Sequence, residues 1–142
     1  MSDDLTQAQR HKNMSHIRSS STIPELTVRK YLFSQGFRYR INDHRYPGHP
    51  DIVLPKYHTI IFVNGCFWHQ HPGCKYAVVP KSNSDYWIPK LQRNVERDKE
   101  NYSQLMKMGW NVEIVWECEL KTEEKCKQTL SRLTESLRKN LL

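Results

Sequence analysis

Asp51-Ile52-Val53-Leu54-Pro55-Lys56-Tyr57-His58-Thr59-Ile60-Ile61-Phe62-Val63 is the stretch that decides the fold. Two short apolar runs rich in β-branched residues flank a proline-bearing turn, and β-branched side chains suit a pleated sheet. The stretch predicts two strands joined as a hairpin through Pro55 to His58. Upstream, Phe37 to Ile41 alternates apolar and charged residues and predicts a further strand, separated from Asp51 by the turn-rich segment Asn42 to Pro50. Before it, Thr22-Ile23-Pro24-Glu25 has the T-x-x-E spacing of a capping box, with Pro tolerated in the first turn. A helix should run from there to Gln35 and stop at Gly36. Taken alone, Glu25 is the returning half of that box.

Downstream, Gly65 to about Ser84 has no regular periodicity. Leu91, Val95, Tyr102 and Leu105 then lie at offsets of 4, 11 and 14, one face of a long helix that Gly109 ends. Asp98, at offset 7, falls on the same face, where a carboxylate needs a charged or hydrogen-bonding partner. Trp110 to Trp116 reads as a strand, and Thr122 opens a last helix with the stripe Cys126, Leu130, Leu133, Leu137 and Leu141. Cys126 on that stripe reads as core. The expected fold is α/β in the order α-β-β-β-α-β-α, with strand, long helix and strand forming a crossover that puts the last strand parallel to an earlier one in a mixed sheet.

The 142 residues suit one domain, 22–142, preceded by an arm at 1–21. Hydrophobic residues at 37%, charged residues at 26%, 5 Gly and 7 Pro exclude disordered and collagen-like chains. No apolar run approaches the roughly 18 residues of a membrane span, and the N-terminus lacks a secretion pattern, so a cytoplasmic location is expected. Lys and Arg outnumber Asp and Glu by 22 to 15, and the net charge of +7 favours a polyanionic partner such as nucleic acid.

The irregular segment holds the chemistry. Cys66-Phe67-Trp68-His69-Gln70-His71-Pro72-Gly73-Cys74 packs two cysteines and two histidines together, and Cys118 follows one strand later. In a reducing compartment that density points to structural zinc with three thiolates and one imidazole, against a reading as plain thiols and surface histidines. His69 and His71, two apart, would point the same way in an extended segment, so spacing does not say which is the ligand. Phe67, Trp68 and Trp87 either form a small core over the metal or stack on bases. Asp98 is either half of a structural ion pair or a working carboxylate. Pro50-Asp51 at a strand start, with this element order, resembles the metal-binding half of the PD-(D/E)xK nuclease core, although Phe62-Val63-Asn64 stands where acid-x-Lys would complete it.

With Gly65-Cys66-Phe67-Trp68-His69, Pro50-Asp51, Asn94-Val95-Glu96-Arg97-Asp98 and Val115-Trp116-Glu117-Cys118 in this order, the chain resembles the very-short-patch repair (Vsr) endonucleases, from Lys12-Asn13-Met14 to at least Cys118. These are bacterial DNA repair hydrolases that nick one strand beside the thymine of a T:G mismatch. The resemblance implies that Asp51 binds magnesium with the backbone carbonyl of Val63, and that His69 is the general base. Glu25 would orient water at the magnesium and Asp98 would support His69. Cys66, His71, Cys74 and Cys118 would hold zinc. It further implies that Phe67, Trp68 and Trp87 wedge into the duplex from the major groove, that Met14 in the arm reaches the minor groove, and that Lys90 and Asn94 contact bases. The best-known members carry His where this chain has Asn64, which can hydrogen-bond but cannot transfer a proton at neutral pH. Asn64 is therefore expected to position rather than to titrate. The partners expected are double-stranded DNA with a T:G mismatch and mismatch-repair proteins, with the enzyme a monomer. The alternatives are a zinc-braced DNA-binding protein without cleavage and a double-strand restriction-type nuclease on the same core.

Overall fold

The computed structural model describes residues 22–141. Helix α1 spans Ile23–Ser34, with Thr22 as N-cap: its hydroxyl accepts from the Glu25 N–H at 3.4 Å, and Pro24 sits in the first turn. Gly36 ends it at φ +91°, where the left-handed region favours glycine, and the Phe37 N–H returns to the Leu32 carbonyl at 3.0 Å.

Strands β1 (Arg40–Ile41), β2 (Ile52–Leu54), β3 (Thr59–Asn64) and β4 (Asn111–Trp116) form one sheet in the order β1-β2-β3-β4. The first two pairings are antiparallel and β3 pairs with β4 in parallel, so the expected crossover is present. The hairpin closes through a 3₁₀ turn at Pro55–Tyr57 and a left-handed His58. β1 is shorter than the alternation from Phe37 to Ile41 predicts. Its partner β2 offers only three residues, and only Arg40 and Ile41 find a ladder position. Phe37 turns instead into the core against Tyr57, with ring centroids 5.0 Å apart, and the Tyr39 hydroxyl donates to the Arg29 carbonyl of α1 at 2.9 Å.

Helices α2 (Ser84–Lys107) and α3 (Glu123–Lys139) complete the fold. Side chains alternate across β3, which sends Ile61 to one face and Ile60 and Phe62 to the other. The first face packs Val28 and Leu32 of α1 and Leu130, Leu133 and Leu137 of α3, and Cys126 is half-buried against it. The second face receives Leu105 and Tyr102 of α2 with Trp110. Leu141, expected on the α3 stripe, lies beyond the helix end and is 51% exposed, because Asn140 caps α3 before another turn can form. Among the described residues no helix is long and apolar enough to cross a membrane. The arm at 1–21, Met14 included, lies outside the described residues.

Candidate active site

Asp51 stands one residue ahead of β2 and reaches across to β3, where its Oδ2 accepts from the Val63 N–H at 2.6 Å. Glu25, in the first turn of α1, is 3% exposed, and Arg29 one turn on donates to its Oε2 at 2.9 Å. Glu25 does more than cap the helix: its N–H meets Thr22, and its carboxylate meets Arg29 and Asp51. Burial pushes the Asp51 carboxyl up to about 7; the Val63 N–H opposes this, the neighbouring Glu25 adds to it, and Arg29 offsets it weakly. Two carboxyls this close and this dry suit a hard cation held by oxygen ligands.

In the same cleft, His69 Nδ1 lies 2.6 Å from Asp98 Oδ2. Asp98 reaches from the core-side face of α2, so the carboxylate that looked out of place on an apolar stripe has the loop histidine as its partner. With Nδ1 engaged, Nε2 is the ring nitrogen left for chemistry. Asn64 ends β3, 3% exposed, and its amide donates to the Tyr102 hydroxyl at 2.8 Å. Burial pushes Tyr102 up to about 12, opposed by the Asn64 hydrogen bond and assisted by the charges of Asp98 and Asp51, so the phenol stays protonated. Glu25, Asp51, Val63, Asn64 and His69 line one cleft of about 350 Å³, and the exposed His44 and His49 line it as well.

The ligand atoms of Cys66, His71, Cys74 and Cys118 all lie within 4.8 Å of one another. His71 Nδ1 sits 3.7 Å from the Cys66 sulfur and 3.4 Å from that of Cys118, and its ring stacks on Trp116 at 4.2 Å. Gln70 lies between the two histidines at φ +49°, so the segment is not extended. That left-handed residue sends His69 to Asp98 and His71 to the cysteines, which separates what spacing left open. Burial pushes the Cys66 thiol up to about 12 and raises Cys118 as well. Cys74 is also desolvated, yet the N–H groups of Tyr76 and Ala77 and the neighbouring thiols hold it below its ordinary value. Three sulfurs and an imidazole converging in this way can hold a metal ion.

Phe67, Trp68 and Trp87 form a triangle with centroids 5.2, 5.4 and 5.8 Å apart. They pack on one another, and Trp68 also remains 46% exposed, so the cluster is at once a small core and an aromatic surface. Lys90 Nζ stands 5.6 Å from the centre of the Trp68 ring, and the Asn94 amide donates to the Trp68 carbonyl at 3.1 Å. Sequence reasoning missed Arg29, Tyr102, His44 and His49. Arg29 was discoverable from its i+4 spacing to Glu25. Tyr102 looked like stripe, and the two histidines lay in a segment read only for turns.

A histidine held by a carboxylate, in one cleft with paired acids on a basic protein, suits hydrolysis of a polyanion. The family model for "DNA mismatch endonuclease Vsr" matches residues 2–75. The chain is 49% identical over 138 residues to the type II nicking enzyme V.NmeAIP of Neisseria meningitidis, covering 97% of this chain and 98% of that protein. It is 45% identical over 120 residues to the type II nicking enzyme V.XorIIP of Xanthomonas oryzae, covering 84% and 88%. To the DNA mismatch endonuclease Vsr of Escherichia coli it is 42% identical over 137 residues, covering 96% and 86%. The chain belongs to the Vsr mismatch endonuclease family. It is an endonuclease, and DNA is its partner.

Proposed function

We propose that this protein nicks one strand of double-stranded DNA beside the thymine of a T:G mismatch by magnesium-dependent phosphodiester hydrolysis, as an early step of very-short-patch repair. The observation that carries the reading is the 2.6 Å His69–Asp98 pair, with His69 lining the same cleft as Asp51 and Glu25. Asp51 and the Val63 carbonyl would hold magnesium, and the raised Asp51 carboxyl beside the buried Glu25 fits such a cation. When bound, that ion supplies positive charge to the phosphate oxygens. Asp98 orients His69, while Nε2 takes the proton from the attacking water as the new P–O bond forms; the bond to the 3′ oxygen breaks, and that oxygen leaves with a proton taken from solvent water to give the 3′-hydroxyl. Glu25 orients the water, and Asn64, tethered to Tyr102, positions the phosphate without moving a proton.

Cys66, His71, Cys74 and Cys118 fit structural zinc by donor type and leave no open ligand position. Zinc there would tie the irregular loop, and with it His69, to the end of β4. Phe67, Trp68 and Trp87 enter the base stack, where a mispaired step costs less to open than a paired one. Lys90 and Asn94 beside them read bases, and the arm 1–21 reaches the minor groove through Met14. The proposal includes a PD-(D/E)xK-like core in one domain over 22–142 with the zinc loop at about 65–84, a monomer acting in the bacterial cytoplasm at the nucleoid, and mismatch-repair proteins as further partners. Nicking of T:G and fully paired duplexes, with and without magnesium, tests it. Nicking confined to the mismatch and to magnesium supports it, binding without cleavage makes the chain a zinc-braced DNA-binding protein, and double-strand cleavage of paired DNA makes it a restriction-type nuclease.

A further inference from the structure

The loop between β1 and β2 carries two histidines that the proposed reaction does not use. His44 and His49 meet edge to face, with ring centroids 4.5 Å apart, on the rim of the cleft that holds Asp51 and His69. The loop that presents them is pinned at its base: the Asn42 N–H donates to the Asp51 carbonyl at 3.1 Å and the His49 N–H to the Tyr46 carbonyl at 3.1 Å. Gly48 is wedged against α2, and a Cβ there would stand 3.1 Å from both Asn101 and Phe62. Pro50 on the other side is fully buried. Between them His49 holds φ +47°, a left-handed conformation that a side-chain-bearing residue adopts at a cost. The backbone is thus constrained on both sides to aim an exposed ring at the cleft.

The chemistry of this rim is that of donors. Asp43, in the same loop, is bound by Arg45 through both carboxylate oxygens, at 2.9 and 2.7 Å, and Arg40 lies close enough to add positive charge. Among the described residues the cluster of possible metal ligands does not include His44 or His49. An imidazole N–H donates to a phosphate oxygen whether or not the ring carries charge. We propose that His44 and His49 form a binding site for one backbone phosphodiester of the strand to be cut, next to the phosphodiester at Asp51, fixing that strand's register in the cleft. This rests on the mismatch-nicking reading.

The test is equilibrium binding of the full chain to a fluorescent T:G duplex without magnesium, followed by nicking on its addition. His49→Gly keeps the left-handed backbone while removing the ring, and it is combined with His44→Ala; zinc content and Tm verify the fold. The double variant should bind about tenfold more weakly. A duplex with one neutral methylphosphonate at a phosphate flanking the nick should weaken wild-type binding by a similar factor at one such position, and weaken the double variant no further. Wild-type affinity in the double variant, or losses from variant and methylphosphonate that simply multiply at every flanking position, would overturn the proposal. Absence of nicking by the wild type with these binding results intact would instead overturn the functional reading alone.

Discussion

The amide of Asn64, the last residue of β3, donates to the hydroxyl of Tyr102 on α2 at 2.8 Å, joining the strand that carries Val63 to the helix that carries Asp98. One part-buried contact therefore links that strand to that helix. Asn64→Ala should lose a neutral hydrogen bond, roughly 0.5–1.5 kcal/mol or about two- to tenfold in nicking rate. Tyr102→Phe should produce a defect of the same size, and the double variant should be little worse than either single one. Single-turnover nicking of the four proteins on one mismatched duplex checks this. Additive defects would mean that the two residues act separately.

The zinc proposal is checked by elemental analysis of protein purified without added metal, which should find about one zinc per chain from the four-ligand set. Cys118→Ser should lose the zinc and lower Tm, because the loop from Cys66 to Cys74 would no longer be tied to β4. A zinc-free protein of undiminished Tm would refute the assignment.

Asp51 makes a prediction about pH. Its folded-state pKa is raised from 3.8 to about 7, mainly by burial, so across that interval the folded chain holds a proton that the unfolded chain releases. For this group, stability is fully present below the lower value and is lost as pH rises through the upper one. Metal-free Asp51→Asn should therefore be more stable than wild type at pH 8, on the order of 2–4 kcal/mol, with the advantage shrinking towards pH 4. Magnesium should raise the Tm of wild type at pH 8 and leave that of the variant unchanged. Thermal melts across pH read both effects, and a pH-independent difference between the two proteins would contradict them.

Much of the fold was legible because periodicity and caps act locally. Thr22 and Gly36 bound α1, the β-branched runs form β2 and β3, and the crossover through α2 sets β4 parallel to β3. The alternation from Phe37 to Ile41 misled because it encodes attachment of the chain to Tyr57 and Arg29 more than strand pairing. Leu141 misled because a stripe continues in sequence after the helix has ended. At the site, residue type and density pointed to the Cys/His cluster, whereas the division of labour between His69 and His71 depends on a backbone turn at Gln70 that spacing does not encode. Tyr102 and Asn64 are 38 positions apart, and nothing local in either segment announces their contact.

The aromatic triangle yields a separation of affinity from preference. Trp68→Ala should reduce discrimination between mismatched and paired duplex while leaving the salt-dependent, non-specific affinity that comes from Lys and Arg on phosphates. Competition binding over a salt series measures both quantities. Full retention of mismatch preference would confine Phe67, Trp68 and Trp87 to packing over the zinc loop.

Single-turnover nicking of a T:G duplex by wild type, His69→Ala and Asp51→Ala over a magnesium titration, with DNA affinity measured in parallel, bears most directly on the division of work across the cleft. His69→Ala should cut the rate on the order of 10² or more with affinity near normal, because a proton acceptor is removed and no DNA contact is lost. Asp51→Ala should not nick at any magnesium concentration. A His69→Ala protein whose rate falls only in proportion to its affinity, or an Asp51→Ala protein rescued by excess magnesium, would contradict the roles given to the two residues.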